Sequence, residues 1–193
     1  MSLKNSHTVA DYLEWDSMLI LIQKLKKDGD TKFSLLIQTG AYTGLRISDI
    51  LNLKWKDVLD QEFIQLNEKK TKKYRKIKIN ETLMKSLVEH YSKLKTKKLN
   101  DWIFVNRFGT KPICTQFVNK KLKTLKVKYK IKVPNFSSHS LRKCFGRHVV
   151  EMSEYKEKAL VLLSELFNHS SIGLTRRYLG LREAELQSVY DML

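Results

Sequence analysis

Apolar positions recur every three or four residues along most of this chain, the period of a helix with one buried face. Trp15, Met18, Leu19, Ile22 and Leu25 make the first such stripe, and Asp28-Gly29-Asp30 ends it. Phe33, Leu36 and Ile37 open a second helix, interrupted at Thr43-Gly44, and Ile47, Ile50 and Leu51 mark a short third one. The period then changes. Residues 62–66 and 75–79 alternate apolar with polar, which predicts two half-buried strands, and the lysine-rich link from Asn67 to Tyr74 reads as a hairpin turn. Trp102-Ile103-Phe104 is expected to add a third short strand. Helical spacing returns with Leu83, Leu87, Tyr91 and Leu94, and again with Val118, Leu122, Leu125 and Tyr129. Leu141, Phe145 and Val149 follow on a helix that Ser137 or Ser138 is placed to cap. The leucine-rich stretch from Ala159 to Phe167 reads as core, and a final helix is expected to carry Leu186, Val189, Tyr190 and Leu193 on one face.

The expected fold is therefore mainly α with a small antiparallel β-sheet (α+β), in one domain over residues 1–193. There is no internal repeat and no Pro/Ser/Gly-rich linker, and only two prolines and seven glycines occur, which favours helices over a loop-rich all-β fold. A hydrophobic share of 42% with 30% charged residues is that of a soluble globular chain rather than a disordered one. Met1-Ser2-Leu3 reads as a cloning remnant. Cys114 and Cys144 are the only cysteines, too few for a disulfide framework and without zinc-ligand spacing, so neither a metal nor a cofactor is expected. No apolar run is long enough to span a bilayer, and a reduced cytoplasmic setting is expected.

Charge changes the picture more than composition does. Lys and Arg number 37 against 20 Asp and Glu, a net charge of +17. Such an excess on a folded domain predicts a polyanionic partner, because each neutralised phosphate releases condensed counterions. A ribosomal or membrane-surface protein carries the same excess, so charge alone names no chemistry.

The chemistry lies in short motifs. Breaking a DNA phosphodiester without metal or water requires a nucleophile, cations for the charge on the non-bridging oxygens, a base for the nucleophile's proton and an acid for the departing 5′ oxygen. Arginine suits the second task because its planar fork donates two hydrogen bonds at once. The chain offers Thr43-Gly44-Leu45-Arg46-Ile47-Ser48-Asp49, then the lysine hairpin, then His139-Ser140-Leu141-Arg142 with imidazole and guanidinium one helical turn apart. Asn168-His169 follows, and Thr175-Arg176-Arg177-Tyr178 closes the series.

This series resembles the tyrosine recombinases, or phage integrases, from about Trp15 to the C-terminus. Their pattern is an Arg in T-G-x-R-x-x-E/D, a Lys in a β-hairpin, H-x-x-R, a second His or Trp, and a Tyr nine positions after it; His169 stands nine positions before Tyr178. The resemblance implies a domain that cuts and rejoins double-stranded DNA through a 3′-phosphotyrosyl bond, for integration or excision of a bacterial mobile element. It implies that Arg46 and Arg142 clamp the scissile phosphate, that Lys70 protonates the 5′ oxygen, and that His139 relays the tyrosine proton. His169 would hydrogen-bond the phosphate, Tyr178 would be the nucleophile, and Asp49 would orient its neighbours. Lys70 is chosen among the hairpin lysines by the family's Lys-Thr step, matched by Lys70-Thr71. Lys72, Lys73, Arg176 and Arg177 are expected to contact DNA.

Partners implied in the same way are three further protomers in a tetramer on DNA, with the isolated chain monomeric, and accessory DNA-bending proteins; the location would be the bacterial nucleoid. Family members carry an N-terminal helical domain that grips the other face of DNA, so these residues are expected to be a piece of a longer integrase. Residues 183–193 would dock on a neighbouring protomer. Two departures stand out: Asn168 where Gly is frequent, and Lys78 or Ile79 where Pro is frequent. Two other functions fit some of the features: a type IB topoisomerase acting as a monomer, and a basic DNA-binding module without catalysis. The plain reading of Arg46 is a helix-surface arginine paired with Asp49.

Overall fold

The computed structural model describes residues 11–181 and Tyr190. The expected last helix, with Leu186, Val189 and Leu193, lies outside the described residues, as do Met1-Ser2-Leu3. Among the described residues, eight α-helices and one two-stranded sheet follow in the order α1 (Trp15–Lys27), α2 (Thr31–Thr43), α3 (Ile47–Ile50), β1 (Phe63–Asn67), β2 (Tyr74–Lys78), α4 (Glu81–Ser92), α5 (Thr115–Lys128), α6 (Ser138–Met152), α7 (Lys156–Phe167) and α8 (Ile172–Leu179).

The centre is α2. Asp30 caps its start by accepting from the Phe33 backbone N–H, and ten of its thirteen residues are buried, so it is apolar on nearly every side. It packs on α1, α4 and α6. Its buried hydroxyls are satisfied locally, Thr39 donating to the Leu35 carbonyl at 2.8 Å and Ser34 to that of Ile22 at 3.1 Å, which removes the cost of an orphaned polar group. The crossing with α6 is close: a Cβ on Gly40 would sit 3.0 Å from Leu141. A second, smaller core joins α6, α7 and α8 through Val150, Leu160, Leu163, Phe167 and Leu179.

The sheet is a single antiparallel hairpin with Phe63 opposite Lys78 and Asn67 opposite Tyr74. Trp102-Ile103-Phe104 does not form a strand; Trp102 makes an isolated bridge to Lys54 and Val105 one to Pro112. Ile103 and Phe104 are buried by packing of an irregular segment, with Phe104 fully enclosed, and the apolar run that suggested a strand reflects that burial without a ladder. The 159–167 stretch is core on one side only: Leu160 and Leu163 are buried while Leu162 is 55% exposed, as helical period requires of a surface helix. Ser137, not Ser138, is the N-cap of α6, and Ser140 reciprocates by accepting from its N–H. No described helix is long and apolar enough to cross a membrane.

Candidate active site

Arg46 enters the site because of what precedes it. Thr43 ends α2, and Gly44 caps it in the left-handed region at φ 61°, where a side chain is strained. Phe145 of α6 lies 2.5 Å from where a Cβ on Gly44 would stand. Conformation and space both demand glycine, and the bare backbone lets the Gly44 carbonyl accept a hydrogen bond from Arg142 Nη1. The Thr-Gly step of the motif thus turns the chain toward Arg46 and anchors the second arginine.

The two arginines converge. Arg142, 5% exposed on α6, donates through Nη2 to the Phe167 carbonyl at 3.3 Å, and Arg46 Nη2 donates to the same oxygen at 3.2 Å. Phe167 ends α7, where carbonyls lack helical partners and carry the negative end of the helix dipole. That oxygen is a fitting place for two cations to meet. Arg142 also lies with Cζ 4.1 Å above the Phe167 ring. Burial brings its pKa down to about 10 against the pull of the neighbouring Tyr178, so it stays charged at neutral pH.

The hairpin turn hangs from two carboxylates. Asp49, buried on α3, accepts from the Lys69 N–H at 2.9 Å; it does not pair with Arg46. The partner of Arg46 is Glu68, whose Oε2 lies 2.5 Å from Nη1. Glu68 is fully buried. Burial pushes its carboxyl up, but hydrogen bonds from Thr71 and Arg46 and the charge of Arg75 more than offset this and hold it below the usual carboxylate range. Lys70 and Lys72 project from the turn into solvent, Lys72 with a left-handed φ of 59°. Lys73 reaches across to donate to the Asn168 side chain. Asn168 itself caps α7 at φ 54°, a conformation that asparagine tolerates and that explains why glycine is its usual alternative.

His139 opens α6, exposed at the edge of the site; desolvation and the nearby cations Arg142, Lys143, Lys70 and Arg46 hold its pKa below the ordinary imidazole value. His169 is lowered too, by desolvation and then by Arg142 and Arg46, and its Nδ1 lies 2.9 Å from the hydroxyl of the buried Thr175, which fixes the ring. Tyr178, on α8, sits edge-on to Phe167 and His169 with ring centroids 5.6 and 5.2 Å away. Its hydroxyl is buried without a hydrogen-bond partner among the described residues. Burial raises its pKa while Arg142 and Arg46 pull the other way. Of the DNA contacts expected beside it, Arg177 is exposed, whereas Arg176 is half-buried and 3.8 Å from Glu157.

All six predicted catalytic side chains therefore come from one region bounded by α3, the hairpin, α6 and α8. Sequence reasoning missed Glu68, Arg75 and the buried Lys143, whose Nζ stands 5.3 Å from the Tyr178 ring centre. A signal for Glu68 existed: it continues the inward row of Ile64 and Leu66, and a carboxylate on a buried row needs a cation.

Residues 11–185 match the profile of the phage integrase family. The chain belongs to the phage integrase family. It is 33% identical over 172 residues to the probable integrase/recombinase YoeC of Bacillus subtilis (strain 168), covering 89% of this chain and 87% of that protein. Against the tyrosine recombinase XerH of Campylobacter jejuni it is 27% identical over 154 residues, covering 79% of this chain but 42% of that one. The XerA recombinase crystal structure superposes with a TM-score of 0.70 at 24% identity, over 94% of this chain and 64% of that one. The Tn1549 transposon integrase in complex with a circular intermediate DNA gives 0.71 at 19%, over 97% and 68%. The integrase fold, mainly helical with one hairpin, is thus the fold of this chain, and its catalytic type is that of the tyrosine recombinases.

Proposed function

We propose that this integrase domain cuts and rejoins double-stranded DNA without a metal ion. Tyr178 Oη attacks the scissile phosphorus, the bond to the 5′ oxygen breaks, and a 3′-phosphotyrosyl bond keeps the ester for rejoining. His139 takes the phenolic proton, Lys70 gives one to the departing 5′ oxygen, and His169 hydrogen-bonds a non-bridging oxygen. Arg46 and Arg142 carry the charge of the pentacoordinate state. The reverse step, attack by a new 5′ hydroxyl, seals the strand and releases the tyrosine.

The observation that carries this reading is the meeting of Arg46 and Arg142 at the Phe167 carbonyl, beside a Tyr178 whose ring packs on that same Phe167. A phosphate bound there takes over both forks, and Tyr178 must turn its sheltered hydroxyl outward to reach it. Lys72, Lys73, Arg176 and Arg177 lie near enough in the chain to the site to bind flanking phosphates. Four copies on paired DNA sites, with accessory DNA-bending proteins, form the recombining assembly.

A covalent capture tests the reaction. A nicked duplex library, randomised around the nick, loses its short 5′ fragment on cleavage and traps the phosphotyrosine. Wild-type chain should yield a detergent-resistant protein–DNA adduct; Tyr178→Phe should yield none while binding the same library, and Phe in place of Tyr74, Tyr91 or Tyr190 should leave it intact. An adduct from Tyr178→Phe at the wild-type level would refute the assignment.

A further inference from the structure

We infer that Glu68 is a positioning residue that fastens the Lys70 turn to the phosphate clamp. This rests on the proposed function. Lys70 projects into solvent with no hydrogen bond of its own among the described residues, so its place is set by the turn that carries it. Glu68 closes that turn. Its N–H donates to the Lys73 carbonyl at 2.9 Å and its carbonyl accepts from the Lys72 N–H at 2.8 Å. Its Oε2 accepts from the Thr71 hydroxyl at 2.5 Å and from Arg46 at 2.5 Å. One buried oxygen therefore joins the residue next to Lys70 to an arginine that the Phe167 carbonyl holds separately.

Two features distinguish this link from plain charge balance. A carboxylate needed only to offset Arg46, Arg75 and Arg142 has no reason to be bonded to Thr71, which is uncharged and lies on the turn. And Asp49 already secures the other side of the same turn through the Lys69 N–H, so the segment is held at two points against the helix that begins at Arg46. Bonds to a charged acceptor are short and strong, and they fix direction. The general acid and the phosphate-binding fork are presented as one rigid unit, and Lys70 is aimed at the 5′ oxygen of whatever phosphate Arg46 holds.

The leaving group reads this role directly. A duplex recovered by the capture above is made in two forms, with the ordinary ester and with sulfur replacing the bridging 5′ oxygen; a thiolate departs without a proton from an acid. Thr71→Val removes the hydroxyl alone, Glu68→Gln removes the charge, and Lys70→Ala is the reference. Misplacing the acid should slow cleavage of the oxygen ester on the order of ten- to a hundredfold in Thr71→Val and Glu68→Gln, with the gap closing to within about threefold on the sulfur ester, as for Lys70→Ala. Equal slowing on both esters, or wild-type rates on both, would overturn the inference. Should Glu68→Gln fail to give a cooperative melt, Thr71→Val, which leaves the Arg46 pair in place, decides the matter. A wild-type chain that forms no adduct would overturn the proposed function instead, a different pattern.

Discussion

Replacing Gly44 with alanine should damage both fold and site, by an amount that divides into two parts. The first is conformational. Gly44 sits at φ 61°, and a side chain in the left-handed region costs about 1–2 kcal/mol. The second is steric. The new Cβ would lie 2.5 Å from Phe145 Cδ1 and 2.9 Å from Cε1, a ring carbon pair that belongs to a packed helix, and such overpacking costs about 1–3 kcal/mol. The total, about 2–5 kcal/mol, is a large part of the roughly 5–15 kcal/mol that stabilises a typical domain. Gly29→Ala is the control, since Gly29 has φ 77° and nothing within 4 Å of its Cβ; it should show only the conformational part. Urea unfolding of the three proteins gives the values, with equal slopes confirming a common reference state. Adding Phe145→Leu should recover some of the loss in Gly44→Ala and none in Gly29→Ala. Because the Gly44 carbonyl also holds Arg142, adduct formation should fall further than stability explains. If Gly44→Ala costs no more than Gly29→Ala, the steric argument is wrong.

Arg142→Lys should keep the fold but lose adduct formation by on the order of a hundredfold or more, because an ammonium cannot bridge the Gly44 and Phe167 carbonyls as the planar fork does; near-normal adduct yield would contradict the clamp. Acid should destabilise the domain. His90, His139 and His169 all have folded pKa values below the ordinary one, mainly from desolvation, so below about pH 6.5 the unfolded chain binds more protons and stability falls with pH. Glu68, lowered as well, adds to the same trend at lower pH, and a melting temperature that holds or rises from neutral to mildly acid pH would refute the account. Gly146→Ala should loosen the seat of α8, since its Cβ would meet Leu179 at 2.6 Å and the Phe167 ring at 3.1 Å; a cost of about 1–3 kcal/mol, partly offset by better helix propensity, is expected by thermal melt. Adducts should persist in EDTA, since two arginines supply the positive charge, and log affinity for DNA should fall linearly with log salt, as +17 requires.

Much of this protein was legible without coordinates. The helical stripes located α1, α4, α5 and α6, because each is partly exposed and must segregate its apolar residues, while α2, buried on nearly every side, showed itself through Phe33, Leu36 and Ile37. The alternation of residues 62–66 and 75–79 placed the hairpin for the same reason. The motif order from Arg46 to Tyr178 picked out side chains that the fold brings to one region, and the roles proposed for them follow from the chemistry of phosphoryl transfer. Where burial came without regular structure, as at Trp102-Ile103-Phe104, local pattern misled, because a short apolar run reports burial and says nothing about whether a strand lies alongside to pair with it.

Tertiary structure alone decided the rest. That Arg46, at the N-cap of α3, pairs with Glu68 and not with Asp49, three residues on in the chain, depends on how the hairpin folds back over α3. The glycine of the Thr-Gly step is needed because Phe145, a hundred and one residues later in the chain, packs onto it. The convergence of two arginines on one helix-end carbonyl, with the tyrosine sheltered against the same phenyl ring, joins α3, α6, α7 and α8. Hydrophobic patterning is a local property and survives in the order of residues. Contacts between distant segments are fixed only when those segments pack, and it is there that this chain turns a set of ordinary polar residues into a site.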